Sequence, residues 1–267
     1  MSNPNKVPVQ NISASPGEIR RVYFASDFHL GADARLTSRE REKLVVKWLN
    51  MVSEDAEAIY LVGDIFEFWF EYQSVVPKGF TRVLGKLAEL RDRGIRIEVF
   101  TGNHDQWMFG YFEEELGIPV HYNPVTFTLN EKSFFIGHGD GLGPGDSMYK
   151  IQKKFFNSKV CQWLFARIHP NLGMSIAQLW SKQSRLANTK REEKFNGEEN
   201  EFLLSYCKTI EKETHHDFYV FGHRHLPLDL EVGVNSRYIN LGEWVHFNTY
   251  AEFDGQAVAL KTYRHVN

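Results

Sequence analysis

Apolar residues along this chain gather into short runs, and five of those runs stop at a residue able to bind a metal. RVYFAS leads into Asp27, AIYLVG into Asp64, IRIEVFTG into Asn103, SFFIG into His138 and FYVFG into His223. Largely apolar runs of this length, closed by glycine or a polar residue, predict strands. Between the first three lie segments of helical period: about 37–54, with Leu44, Val45, Trp48 and Leu49 on one face, and about 79–93. Strand–helix alternation of this kind argues for an α/β fold with parallel strands at its centre. Toward the C-terminus, LDLEVG, SRYINLG, TYAEFD and AVALKTYR are short strand-like runs separated by turn residues, which predicts antiparallel pairing. The stretch from about 146 to 200 breaks the alternation. It is helical in pattern and rich in lysine and aromatics, and we read it as an inserted cap within one domain spanning 21–267. Residues 1–20 are polar, lack the apolar centre of a secretory signal and read as a flexible lead-in.

Composition changes this picture little. The chain has 267 residues, long for one domain but within reach of a large α/β unit with an insertion. Hydrophobic residues make up 42% and charged ones 24%, as in soluble globular proteins. A net charge of −3 offers no electrostatic track for a polyanion, so nucleic acid is not the expected partner. Cys161 and Cys207 are too few and too scattered for a disulfide framework or a zinc ribbon, and read as reduced thiols of a cytoplasmic protein. No apolar run approaches the ~20 residues of a membrane span. The pattern sets no oligomeric state.

The run endings carry the chemistry. In FYVFGHRHLP, alternation along an extended chain would send His223 and His225 to one side and Arg224 to the other. If the strands' carboxyl ends converge, as they do where ligands bind open α/β sheets, the five endings gather two aspartates, an asparagine and up to five histidines. Oxygen and imidazole donors without thiolate suit Mn²⁺, Fe or Zn²⁺ better than Ca²⁺. There are more donors than one ion needs. Two ions bridged by one carboxylate would use the surplus, and such pairs, ~3.5–4 Å apart, activate water and neutralise a phosphoryl group during in-line attack.

DFH at 27–29, GD at 63–64, GNHD at 102–105, GHGD at 137–140 and GHRH at 222–225 resemble, in order and spacing, the five blocks of calcineurin-like metallophosphoesterases. The resemblance covers about 22 to 262 and implies that family's fold: a β-sandwich flanked by helices (αββα), here with an inserted helical cap. It implies two divalent cations, Mn²⁺ first, with Fe and Zn²⁺ as alternatives. Asp27, His29 and His225 would hold one, Asn103, His138 and His223 the other, and Asp64 would bridge. His104 would face the substrate phosphate or protonate the leaving oxygen, with Asp105 fixing it.

VGDIFEFWF, GHGDGL followed by Asp146 and Tyr149, and LGEW at 241–244 are similar to UDP-2,3-diacylglucosamine hydrolases of lipid A biosynthesis, which release UMP and 2,3-diacylglucosamine 1-phosphate. That resemblance implies a UDP-linked acylated glucosamine as substrate and makes Asp146, Tyr149, Ser184, Asn188, Thr189 and Arg191 candidate contacts. The chain departs from it at His104, where many of those hydrolases carry arginine, and in GHRHLP, which makes Arg224 a candidate anion contact. In the cap, Met148, Ile151, Phe155, Phe156, Trp163, Leu164, Phe165 and Trp180 fall among Lys150, Lys153, Lys154 and Lys159. This is a pattern for acyl chains and for peripheral contact with the inner face of a membrane, although an aromatic face also serves plain packing. The competing expectations are a metallophosphoesterase for another nucleotide-linked lipid or small phosphoester, and a scaffold without catalysis.

Overall fold

The computed structural model describes residues 9–12, 21–143, 147–177, 179 and 194–264. Among the described residues, twelve strands form two six-stranded sheets. One has the order β12 (Val258–Thr262), β11 (Thr249–Phe253), β2 (Arg21–Ala25), β3 (Ala56–Val62), β4 (Arg96–Phe100), β5 (Val120–His121). The other runs β1 (Val9–Ile12), β6 (Val125–Leu129), β7 (Lys132–Gly137), β8 (Phe218–Phe221), β10 (Ser236–Leu241), β9 (Pro227–Gly233). Pairing is parallel from β2 through β5 and from β7 through β8 to β10. It is antiparallel in the late pairs β9–β10 and β11–β12, as the turn spacing predicts.

Strand alternation divides each run between two cores. Val22 and Phe24 of β2, Tyr60 and Val62 of β3, Phe134 and Ile136 of β7 and Val220 of β8 meet between the sheets. The alternate residues face outward. Tyr23, Ile59 and Leu61 pack on α1 (Ser38–Val52) and α2 (Thr81–Asp92), through Val45, Trp48, Leu49, Leu87 and Leu90. Phe135, Tyr219 and Phe221 pack on Leu203, Leu204 and Cys207 of α7 (Phe202–Glu211). Both faces of both sheets are covered, which is why the runs read as nearly continuous apolar stretches. The layers are helix, sheet, sheet, helix, the expected αββα arrangement. At the start of α1, Thr37 and Glu40 form a reciprocal capping box.

Three strands escape the sequence pattern, the two-residue β5 among them. VTFTL forms β6, and the lead-in contains β1, paired in parallel with β6 from Val9↔Thr126 to Ile12↔Leu129. Helix α3 (Tyr111–Glu114) lies earlier, and between β7 and α7 the described residues include α4 (Ser147–Phe156), α5 (Lys159–Phe165) and α6 (170–177). No helix among the described residues is long and apolar enough to cross a membrane.

Glu211, at the end of α7, ties that helix to the sheet. Its carboxylate accepts from Ser236 Oγ at 2.6 Å, Tyr219 OH at 2.6 Å and His216 N at 3.1 Å, with His215 Nδ1 at 2.7 Å. Burial disfavours its charge, but these donors outweigh that and draw the carboxyl down to about 2. A pKa below the unfolded value contributes stability that is complete above the unfolded pKa and is lost as pH falls through the folded one. Glu211→Gln is therefore expected to lower stability at pH 7, with the gap to the parent narrowing as pH falls from 6 toward 3. Urea unfolding at several pH values checks this, and a constant gap would contradict it.

Candidate metal centre

Strands β2, β3 and β4 of one sheet and β7 and β8 of the other all end at the same edge of the sandwich. The loops that follow carry Asp27, His29, Asp64, Asn103, His138, His223 and His225 into one crevice. The expected convergence holds, but across two sheets rather than along one. The backbone there is unusual. Among the described residues, Asp27, His29, Asp64, His223 and His225 all have left-handed φ values, between 46° and 65°. Non-glycine residues seldom take that conformation, and where they do the surroundings must hold them there.

This corrects the alternation argument for His223 and His225. Strand β8 stops at Phe221, and both histidines sit on a turn. They diverge to different partners: His225 Nε2 lies 3.1 Å from Asp27 Oδ1, while His223 Nδ1 lies 2.9 Å from Asn103 Oδ1. Arg224 does point away from them. It is buried, with Nε donating to Glu201 Oε2 at 3.0 Å and Nη2 to the Lys194 carbonyl at 3.0 Å. Glu201 thus stands as the counter-charge of Arg224.

Asp64 lies at the middle. Its Oδ2 is 3.3 Å from His138 Nε2 and 4.0 Å from His29 Nε2, and the rings of His138 and His223 are 5.2 Å apart. On the other side, donor atoms of Asp27, His29, Asp64 and His225 fall within 4.8 Å of one another. Apart from these approaches to one another's rings and carboxylates, the fully buried Asp27 Oδ1, Asp64 Oδ2 and His138 Nε2 have no hydrogen-bond partner among the described residues. Buried polar atoms are nearly always paired. Three such atoms converging from different loops fit a dinuclear divalent metal site.

The charges reinforce one another. Burial opposes ionisation of Asp27, but the His225 and His29 imidazoles outweigh it and hold its carboxyl well below the usual range. Asp64 is lowered likewise, with His138, His104 and His29 overcoming burial. Burial would also lower His138, yet Asp64, then Asp27 and Asp140, bring it up to about 10. Burial, followed by the neighbouring His138, pushes His223 down to about 4.

Supporting residues outside the sequence reading hold this arrangement. Glu67 Oε2 lies 3.1 Å from His29 Nδ1, and its carbonyl lies 3.1 Å from His104 Nδ1. One residue thus orients a ligand with its side chain and fixes the His104 tautomer, proton on Nδ1, with its main chain. A lone charge within the apolar GDIFEFWF was the available signal. Arg41 of α1 is fully buried and donates to the carbonyls of Phe28, at 2.7 Å, and His29, at 2.6 Å. It pins the loop between Asp27 and Ala32.

Asp105 is fully buried between two loops. Its carboxylate accepts from Gly102 N at 2.7 Å, Ile65 N at 2.8 Å and Phe66 N at 3.3 Å. It clamps the loop after β3 to the loop after β4. Burial and the Asp64 charge raise it to about 7. His104 stays near the pair, its backbone N–H donating to Asp64 Oδ1 at 2.8 Å. Gly63, at φ +83°, and Gly102 leave room for these contacts: a Cβ would strike His138 at the first and Asp64 at the second.

A cavity of ≈ 270 Å³ opens beside the centre. Asn103, His104 and Glu67 form its polar end, while Phe68, Trp107, Phe156, Phe165 and Ile176 form an apolar one. Tyr149 also lines it and donates to Asp140 Oδ2 at 2.7 Å, so this candidate contact does stand at the site. Asp146, Ser184, Asn188, Thr189 and Arg191 lie outside the described residues.

The signature of calcineurin-like phosphoesterases matches residues 20–227, and the chain belongs to that family. A protein of Porphyromonas gingivalis named UDP-2,3-diacylglucosamine hydrolase is 38% identical over 256 residues, covering 91% of this chain and 97% of its own. Proteins of the same name from Aeromonas salmonicida, 26% identical and covering 83% of this chain and 85% of theirs, and Edwardsiella ictaluri, 25%, 89% and 90%, are also similar.

Gly102→Ala keeps every ligand yet displaces Asp64. We expect divalent-metal affinity to fall about 10- to 100-fold, the range for lost ligand support, read by calorimetry and by the thermal shift on adding Mn²⁺. Unchanged affinity would count against Asp64 as the central ligand.

Proposed function

We propose that the chain hydrolyses the pyrophosphate of UDP-2,3-diacylglucosamine, yielding UMP and 2,3-diacylglucosamine 1-phosphate. The observation that carries this reading is the continuity of the cavity from Asn103 and His104 to Trp107, Phe156, Phe165 and Ile176. A substrate placed there puts its phosphates at the ligand cluster and an acyl chain among aromatic rings. The names of the relatives point the same way.

Two divalent cations held by Asp27, His29, Asp64, Asn103, His138, His223 and His225 would supply water activation and charge neutralisation, with Mn²⁺ the metal we propose. The chain's own residues position and protonate. His104, its Nδ1–H held by the Glu67 carbonyl, acts in the imidazolium form, gives its Nε2 proton to the oxygen leaving the uridine-side phosphorus and ends as the Nδ1–H tautomer. Asp105 keeps the loops bearing Asp64 and Asn103 in register. Phe156 and Phe165 pack on Trp107, with ring centroids 5.9 and 4.9 Å away, and exclude water from the chain-binding end.

We read α4 to α6 as a cap with two apolar faces. Phe156 and Phe165 turn inward, while Ile151, Phe155, Trp163 and Leu164 are more than half exposed, with Lys154 and Lys159 also exposed. The outward face suits peripheral contact with an anionic membrane from which the substrate is drawn.

Phosphorus NMR of the protein with UDP-2,3-diacylglucosamine in detergent tests the reading. UMP and lipid monophosphate in equal amounts, abolished by metal removal, are expected. Cleavage of a generic diester alone would discard the substrate and keep the centre. His104→Ala should lower kcat by roughly 10²- to 10⁴-fold, the usual contribution of general acid–base catalysis, with metal content retained. Phe165→Ala should raise KM for long-chain substrate more than for a short-chain analogue.

A further inference from the structure

Lys153 lines the cavity together with Tyr149. Helix α4 places it one turn beyond Tyr149, on the same face, and both reach Asp140 in the loop after β7. Lys153 Nζ lies 2.6 Å from Asp140 Oδ2 and donates to the Asp140 carbonyl at 3.1 Å, while Tyr149 OH donates to the same Oδ2 at 2.7 Å. The carboxylate side chain is 4% exposed and the lysine 30%, so the acid lies behind and the ammonium in front. Two of the three ammonium donors are directed to Asp140, which leaves one for a ligand. Among the described residues lining the cavity, Lys153 is the sole lysine or arginine. Arg224, the other candidate cation within them, is turned away onto Glu201.

We propose that Lys153 is a specificity-determining residue that binds the phosphoryl group not under attack, the one that remains with the acylated sugar. The proposal rests on the reading of a pyrophosphate substrate given above. Attack at the uridine-side phosphorus breaks its bond to the bridging oxygen and places a new negative charge on the lipid-side phosphate. That phosphate lies between the ligand cluster and the apolar end, where a braced cation stabilises the departing charge. Asp140 and Tyr149 hold the long, otherwise mobile side chain in place, so little conformational entropy is lost when substrate arrives. A plain monoanionic diester has no second phosphoryl group and gains nothing from this contact.

The test compares two substrates, UDP-2,3-diacylglucosamine and bis(4-nitrophenyl) phosphate, and two inhibitors of diester cleavage, inorganic pyrophosphate and inorganic phosphate. Lys153→Gln keeps a donor for Asp140 and removes the charge; Lys153→Arg restores it. Lys153→Gln is expected to lower the ratio of kcat/KM for the lipid nucleotide to that for the diester by ~10- to 100-fold, the size of a lost charged hydrogen bond. It should weaken inhibition by pyrophosphate more than inhibition by phosphate, and Lys153→Arg should recover most of both effects. Bound metal, counted in each variant, should match the parent. An unmoved ratio, or parallel losses on both substrates, would reduce Lys153 to a brace for Asp140 and overturn the proposal. If the parent cleaves the diester but not the lipid nucleotide, the substrate reading fails separately. The relative inhibition by pyrophosphate and phosphate then decides the role of Lys153.

Discussion

Asp27 and Asp64 are both almost fully buried and present carboxylate oxygens within 4.8 Å of each other. Two like charges out of water at that separation are strongly unfavourable unless positive groups surround them. The rest of the architecture serves that requirement. Imidazoles arrive from both sheets, so the sheets must pack with their carboxyl ends at one edge, and the aromatic-rich interior formed by Phe24, Tyr60, Phe127 and Phe134 fixes that registration. The crevice has no hydrophobic reason to exist. It is imposed by the cores on either side.

The same requirement explains the left-handed backbone at five ligand positions. A strand that simply continued would aim alternate side chains at the two faces, into apolar cores. A sharp reversal after the last strand residue turns the acid or imidazole toward the edge instead. Such turns persist because buried polar groups elsewhere hold them: Arg41 on the carbonyls of residues 28 and 29, and Asp105 on three amides from two loops. The cost is borne by groups that never touch a ligand.

That division decides what the sequence could reveal. The strands carrying ligands were legible because burial on both faces makes them apolar throughout, and because aspartate, asparagine and histidine are conspicuous at their ends. Strand β6 was not, since Thr126 and Thr128 interrupt its apolar residues, and β1, VQNI, is half polar. Donor identities were readable, yet the reason given for His223 and His225 was not, because a turn can place two side chains together as an extended strand does. The roles of Asp105 and Arg224 depend on loops brought together only by folding. No local pattern could show that one clamps amides while the other pairs with Glu201.

The helical segment after β7 joins the two halves of the chemistry. Its inward aromatic side chains complete a chamber whose floor is the ligand cluster, and its lysine and tyrosine reach the loop that bears His138. Movement of this segment is thereby coupled mechanically to the centre.

Strand β2, which delivers Asp27 and His29, lies between β3 and β11. Its second neighbour is encoded more than two hundred residues later, and β11 in turn receives β12 at the end of the chain. A ribosome therefore releases the first ligands long before their sheet can close. Until the last hairpin docks, β2 offers an unpaired edge of the kind that other chains can join. With contacts this distant in sequence, slow folding and a need for shielding during synthesis follow from the topology itself.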